Sequence, residues 1–345
     1  MLRKVINTLR KTLKSSEIIE NWLSSRVVYS LIRHNIVKKR NMLVRLKGGS
    51  LITIPPRIYS LLINAYFNGL IHEVYKEEDS LIIDGVIKIL KTHDTWIYVM
   101  PDGVKLLAED PDLREYGETE FVSMYQTWIL GSNLIAPILD NRLVIDIGSF
   151  IGDTALYYAK RGAFVVAVEP VPSHYNVMLK NLKLNPELMR RVIPVNAAIS
   201  SNDGLIELAI EGVAHGGASQ YQSFSNKIRV RSLTLKSLLR HVKKEHGIDV
   251  NKFNTKAIKF DCEGCEYDVI NNELDIVSSF DFLLIECHGY LRGRTIFDIM
   301  NRLSKKGFYC ELINPDPYSG LSMRFLSTLR CFKYSSSIRK EYEYL

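Results

Sequence analysis

The sequence predicts an α/β protein built on a doubly wound, mostly parallel sheet, preceded by a smaller helical and hairpin region. Three observations predict it. From Leu143 onward, apolar runs at 143–147, 164–168, 192–196, 256–261, 280–287 and 308–313 alternate with helical patterns. Those patterns lie at 153–161, 173–184, 234–246, 265–274 and 294–306; alternation of this kind builds a parallel sheet with helical crossovers. The stretch Leu143–Pro170, LVIDIGSFIGDTALYYAKRGAFVVAVEP, reads as strand, glycine turn, helix and strand. The first 110 residues lack that alternation and carry two hairpin signals instead.

Met1–Lys14 sets Leu2, Val5, Ile6, Leu9 and Leu13 on one helical face, with basic residues elsewhere. Ile18–Ile36 continues the helical pattern into Lys38-Lys39-Arg40. Residues 1–47 hold twelve Lys and Arg against Glu17 and Glu20, a larger surplus than the +7 of the whole chain. The basic excess therefore belongs to this arm, and no nucleic-acid partner is expected for the rest. For residues 1–40 two readings stay open: a peripheral membrane contact, or a helix docked on its own domain.

Leu43–Ile54 alternates around Gly48-Gly49 and predicts a hairpin closed by Pro55-Pro56. A helix follows at Arg57–Leu70, and Leu81–Leu90 is ambiguous between helix and strand. Trp96–Met100 and Val104–Leu107, joined by Pro101-Asp102-Gly103, predict a second hairpin. A boundary is expected near Glu109–Glu115, then a helix over Gly117–Gly131. The organisation is an arm at 1–47, a small mixed region at 48–112 and the sheet domain at 113–345. Within the last, Leu205–Ile210 and Lys227–Arg231 read as strands flanking a glycine loop, and Met323–Tyr334 as an added edge strand. His215-Gly216-Gly217 in that loop suits either a cover over substrate or a plain surface turn.

Five cysteines are too few for a disulfide framework in a chain of 345 residues, which points to a reducing compartment. With no apolar stretch of the ~18 residues a span needs, a cytoplasmic protein is expected. Cys262-Glu-Gly-Cys265 has redox-motif spacing, but small apolar cysteines filling a tight turn explain it as simply. Asn314-Pro-Asp-Pro-Tyr318 reads as a proline turn.

The glycine turn narrows the ligand. Asp146 ends the first strand, Gly148 and Gly152 bracket the turn, and Glu169 ends the next strand, 21 residues after Gly148. An acid about 20 residues on suits ribose hydroxyls. A dinucleotide site wants G-x-G-x-x-G, so that backbone can approach a pyrophosphate; here Phe150 and Ile151 crowd that approach, and no G-x-x-x-x-G-K-[ST] occurs. S-adenosylmethionine has ribose and adenine without phosphate, together with an ammonium and a sulfonium that acids would favour. At the next strand ends stand Asp261 and Glu263, then Glu286 and His288, four groups converging on one crevice.

In order along the chain, Glu118–Leu130, DIGSFIGDTALYYAKRGA, VEPVPSHYNVMLKNLKLN, VNAAISSNDGLIEL, IRVRSLTLKSLL, IKFDCEGCEYDVI, LLIECHG and SKKGF resemble the FkbM family of S-adenosylmethionine-dependent methyltransferases. The resemblance implies a class I methyltransferase (Rossmann-like) fold and methyl transfer to a hydroxyl of a sugar, glycan or glycoconjugate. Carried over by position, it implies Asp146, Gly148, Ser149, Gly152, Glu169, Asn196, Ala197 and Asp261 around the cofactor. Catalysis falls to His288, Asp261 and Glu263, with His288 the first choice of base because its reference pKa is near neutrality. No metal is assigned, since acids on separate strands do not by themselves define octahedral ligation. Ser232-Leu233-Thr234 departs from the family, with threonine where aspartate is usual. Two other function classes remain: a nicotinamide-dependent reductase, against which the missing middle glycine argues, and a non-catalytic scaffold whose basic arm binds membrane or polyanions.

Overall fold

The computed structural model describes residues 10–11, 13–34, 36–38, 41–93, 95–108, 119–135, 139–210, 218–222, 226–313 and 326–333. Most of the helix predicted over Met1–Lys14, the boundary near Glu109–Glu115, the His215–Gly217 loop and the Asn314–Tyr318 turn lie outside them. The chain divides into two compact units, Met1–Ser123 and Met124–Leu345.

In the first unit, helix α1 (Trp22–Arg33) leaves Leu23 and Val27 exposed. Strands β1 (Met42–Arg45) and β2 (Leu51–Ile54) form the expected antiparallel hairpin. Gly48 and Gly49 close it at φ of +91° and +83°, where a side chain would be strained. Pro56 opens helix α2 (Pro56–Phe67), a position where its missing N–H costs nothing. An antiparallel meander follows: β3 (Val74–Glu77), β4 (Ser80–Ile83), β5 (Ile87–Lys91), β6 (Trp96–Val99) and β7 (Lys105–Leu107). The ambiguous run at 81–90 is β4 and β5, because Asp84 and Gly85 take positive φ and fold it back on itself.

After helix α3 (Thr119–Trp128) the alternation predicted from the sequence is present. Its first half is β8 (Leu143–Ile147), α4 (Asp153–Lys160), β9 (Phe164–Val168), α5 (Pro172–Leu184) and β10 (Val192–Val195). A side sheet follows, of β11 (Ala198–Ile199), β12 (Gly204–Ile210), β13 (Ala218–Ser219) and β14 (Asn226–Leu233). The second half runs α6 (Leu235–His246), β15 (Lys256–Phe260), α7 (Cys265–Asn272), α8 (Leu274–Val277), β16 (Phe282–His288), α9 (Gly289–Arg292), α10 (Ile296–Ser304), β17 (Phe308–Ile313) and β18 (Leu326–Lys333).

The main sheet has the order β10-β9-β8-β15-β16-β18-β17. Its first five strands are parallel, and β18 runs antiparallel to both neighbours. This is the class I methyltransferase fold. All five residues of β8 are buried, as expected of a parallel strand covered on both faces. One expectation is corrected: β18 is not an edge strand but lies between β16 and β17. Leu329 and Cys331 are fully buried there, and both backbone edges of β18 find partners.

The cysteine expectation is also corrected. Cys262 pairs with Cys265 and Cys310 with Cys331, leaving Cys287 free and buried. Cys310 and Cys331 stand opposite each other in the β17–β18 register, which no spacing in sequence reveals. The count of cysteines therefore no longer argues for a reducing compartment. No described helix is long and apolar enough to cross a membrane.

Thr234, the departure from the family pattern, is the N-cap of α6. Its hydroxyl accepts from Ser237 N at 3.1 Å. Asp203 completes the cap, accepting from Thr234 N at 2.7 Å and from the Ser237 hydroxyl at 2.6 Å. Threonine and aspartate both cap helices well, so the exchange keeps the local structure.

Candidate functional site

The strand order reverses between β8 and β15, and the crevice beyond their carboxyl ends is where such sheets bind ligands. Gly148 stands at φ +82°, and a Cβ there would lie 1.7 Å from Asp261 O. Only glycine lets the β8 turn approach the end of β15 so closely. At Gly152, also at positive φ, a Cβ would stand 2.7 Å from Met178 Cγ.

Asp146 is completely buried. Its Oδ2 accepts from the Thr154 hydroxyl at 2.7 Å, while Oδ1 makes no hydrogen bond and lies 3.6 Å from Lys259 Nζ. Burial pushes its pKa up, against the pull of Lys259 and Thr154. Ser149 is used inside the turn: it is fully buried and its hydroxyl donates to Asp146 O at 2.7 Å.

The backbone N–H groups of the turn are also engaged. Gly148 and Ser149 donate to Val168 O at 2.9 and 3.0 Å, and Gly152 donates to Ser149 O at 2.7 Å. Phe150 N donates to Glu169 Oε2 at 2.9 Å. Glu169 Oε1 accepts from Val171 N at 2.9 Å and lies 3.3 Å from His174 Nδ1. This carboxylate thus ties the turn to the start of α5, with lone pairs to spare. Asn196 is exposed and donates to Glu169 O at 2.8 Å, beside fully buried Ala197.

The β15–β16 end is arranged differently. Lys259, which the sequence reading passed over, is buried and paired in register with Asp146. Its Nζ lies 3.1 Å from Asp261 Oδ2. Burial alone would lower its pKa, but the Asp261 and Asp146 carboxylates outweigh that and push it up. A lone lysine inside the apolar run Ala257-Ile258-Lys259-Phe260 was the available signal. Glu266, equally missed, is fully buried at the start of α7. It accepts from Gly264 N at 3.0 Å and His288 N at 2.7 Å, so it ties the α7 turn to β16.

Glu263 stands at φ +53°, a conformation costly for a side chain of this size. Its Oε2 is buried without a hydrogen-bond partner, 3.7 Å from His288 Nε2. Burial raises its pKa despite the opposing field of His288. His288 is 3% exposed and also faces Glu266 at 3.5 Å and Glu286 at 3.8 Å. Burial would lower its pKa, yet Glu263, Glu266 and Glu286 more than offset this and hold it well above the usual value. Glu286, whose side chain is 43% exposed, is pushed up to about 7, first by Asp261 and then by burial. The structure therefore brings Asp261, Glu263, Glu286 and His288 together. Three carboxylates favour the charged form of the His288 ring, and Glu263 stands beside it as a second candidate for the base. A separate hollow beside β14 and α6, lined by Arg231, Arg240, His241 and Lys244, shares no residue with this crevice.

The methyltransferase FkbM domain family matches residues 146–310. The hexuronic acid methyltransferase AglP of Haloferax volcanii is 29% identical over 168 residues, spanning 49% of this chain and 65% of AglP. Among solved structures, methyltransferase FkbM from Methylobacillus flagellatus aligns at 14% identity and TM-score 0.38, over 55% of this chain and 43% of that one. TYW2 from P. horikoshii aligns at 16% identity and TM-score 0.33, over 89% and 98% of the two chains. The match begins at the buried aspartate of β8 and takes in both strand ends just described; over residues 146–310 this chain is similar to the methyltransferase FkbM domain family.

Proposed function

We propose that this chain is an S-adenosylmethionine-dependent O-methyltransferase whose acceptor is a hydroxyl of a sugar, glycan or glycoconjugate. The observation that carries the cofactor is the glycine turn. A pyrophosphate needs free backbone N–H groups, and those of Gly148, Ser149, Phe150 and Gly152 are taken internally. What the turn leaves open is negative: a buried Asp146 oxygen without a hydrogen bond, and the lone pairs of Glu169. These fit a phosphate-free, positively charged adenosyl ligand. Asp146 would hold its amino-acid end and Glu169 its ribose, with Asn196 and Ala197 near the adenine.

When bound, the cofactor supplies a methyl group activated by a sulfonium. Transfer of that methyl group from sulfur to the acceptor oxygen would release a neutral thioether and leave the hydroxyl proton for the protein to remove. The protein's part is alignment and removal of that proton. Glu263 suits the removal: it is buried, its Oε2 has no hydrogen-bond partner, and its pKa is raised. His288 Nε2 lies 3.7 Å away and borders the same carboxylate. Asp261, held by Lys259, borders the same space.

The sugar reading is supported by the likeness to AglP, whose name specifies hexuronic acid. Such a sugar offers hydroxyl and carboxylate oxygens. Incubation with methyl-labelled S-adenosylmethionine and hexuronic-acid oligosaccharides should give an alkali-stable label, the mark of an ether. Alkali-labile label would move the acceptor to the carboxylate. No transfer to any glycan, together with no calorimetric binding of S-adenosylmethionine at millimolar concentration, would remove the reading.

A further inference from the structure

Asp261 follows β15, and Glu286 and His288 lie two residues apart on β16, hence on one face of the sheet. One ligand atom from each lies within 4.8 Å of the others. Glu286 Oε1 is 3.8 Å from His288 Nε2, too far for a hydrogen bond. The gap suits a shared ion: ligands at 2.1 Å from an octahedral cation are about 3 Å apart when adjacent and about 4.2 Å when opposite.

The imidazole is a second, independent sign. His288 is 3% exposed. Its Nε2 points toward Glu263 and Glu286 at 3.7 and 3.8 Å, bonded to neither. Buried polar groups are usually satisfied, and exceptions call for a missing partner. On the far side, Glu266 Oε1 sits 3.5 Å from Nδ1 and anchors the His288 backbone. A carboxylate behind the distal nitrogen is the usual way to orient a metal-binding histidine. Lys259 engages Oδ2 of Asp261, leaving the other oxygen for an ion. The other cluster among the described residues, Cys262, Cys265 and Glu266, offers no comparable site because the two sulfurs are bonded to each other.

We propose that Asp261, Glu286 and His288 bind one divalent cation of the Mn²⁺ type, which, on the methyl-transfer reading above, polarises the acceptor oxygen. One imidazole and two carboxylates suit a cation that accepts mixed nitrogen and oxygen ligands better than an all-oxygen one. Three protein ligands leave positions for the acceptor oxygen and water. A cation bound to that oxygen weakens its O–H bond and eases passage of the proton to Glu263.

The test is titration of the chelator-treated full chain with MnCl₂, followed by the electron paramagnetic resonance of free Mn²⁺. Parallel calorimetry of the same preparation measures S-adenosylmethionine binding. One saturable Mn²⁺ site is expected, weakened at least tenfold in Asp261→Asn and Glu286→Gln and unchanged in Arg240→Gln. Circular dichroism checks that each variant folds. No saturable binding to the parent chain at millimolar Mn²⁺, or binding indifferent to both substitutions, overturns the site. If S-adenosylmethionine binds and Mn²⁺ does not, the metal site falls and methyl transfer stands. If one Mn²⁺ binds through these residues and S-adenosylmethionine does not, the site stands and the methyl-donor reading falls.

Discussion

The two strand-end pairs that border the crevice are built on opposite plans. At the end of β8 and β9, the turn N–H groups and both oxygens of Glu169 are engaged internally. At the end of β15 and β16, Glu263 Oε2 and His288 Nδ1 are buried without hydrogen bonds, and three carboxylates crowd one imidazole. The first end is a turn closed by its own backbone, with Asp146 Oδ1 left without a hydrogen bond. The second holds polar groups whose partners come with the substrate. On the function proposed above, binding belongs to the first end and chemistry to the second, since perturbed surroundings mark reactive groups.

Breaking the contact between the ends should have the largest effect. Gly148→Ala puts a Cβ 1.7 Å from Asp261 O at φ +82°. Overpacking and backbone strain together predict a loss of about 3 kcal/mol or more, read as a large fall in thermal midpoint. A near-parental midpoint would mean that the turn and β15 are not pressed together. Glu169→Gln tests the first end alone. It should weaken S-adenosylmethionine binding by about 1–3 kcal/mol, the value of hydrogen bonds to a charged acceptor; unchanged calorimetric affinity would remove Glu169 from the ligand.

Smaller effects are expected at the α6 cap, which borders neither end. Thr234→Ala should cost about 1 kcal/mol in denaturant unfolding, and Thr234→Asp should restore it. If Thr234→Asp changed turnover without changing stability, the position would act on the reaction after all. The pH dependence of the cap follows from Asp203. The Ser237 hydroxyl first, then Thr234 N–H, lowers its carboxyl below the ordinary 3.8. A depressed pKa contributes stability that is present above the ordinary value and lost as pH falls through the folded one. Asp203→Ala should therefore be less stable than the parent near neutrality and converge with it in acid; a gap that persists in acid would assign the loss to packing.

Much of this was legible in the sequence because it is local. Apolar runs of strand length, the Gly148 and Gly152 turn, and Asp146 and Glu169 at strand ends are contiguous patterns, and each sits where periodicity places it. What stayed hidden depends on register between distant segments. Insertion of β18 between β16 and β17, and with it the Cys310–Cys331 pair, follows from pairing that spacing does not encode. Lys259 was masked by the apolar run around it, and its meaning appears only when β15 lies beside Asp146. His288 is a strand-end residue in the sequence, but the upward shift of its pKa comes from three carboxylates that only the fold gathers around it.

The division of labour between the two ends is tested most directly by one comparison of parent and Glu263→Gln: single-turnover methyl transfer measured alongside S-adenosylmethionine affinity. Transfer slowed at least about 100-fold, the usual worth of a positioned base, with cofactor affinity within twofold of the parent is the predicted result. Equal transfer rates, or a loss that appears in cofactor affinity instead, would contradict it.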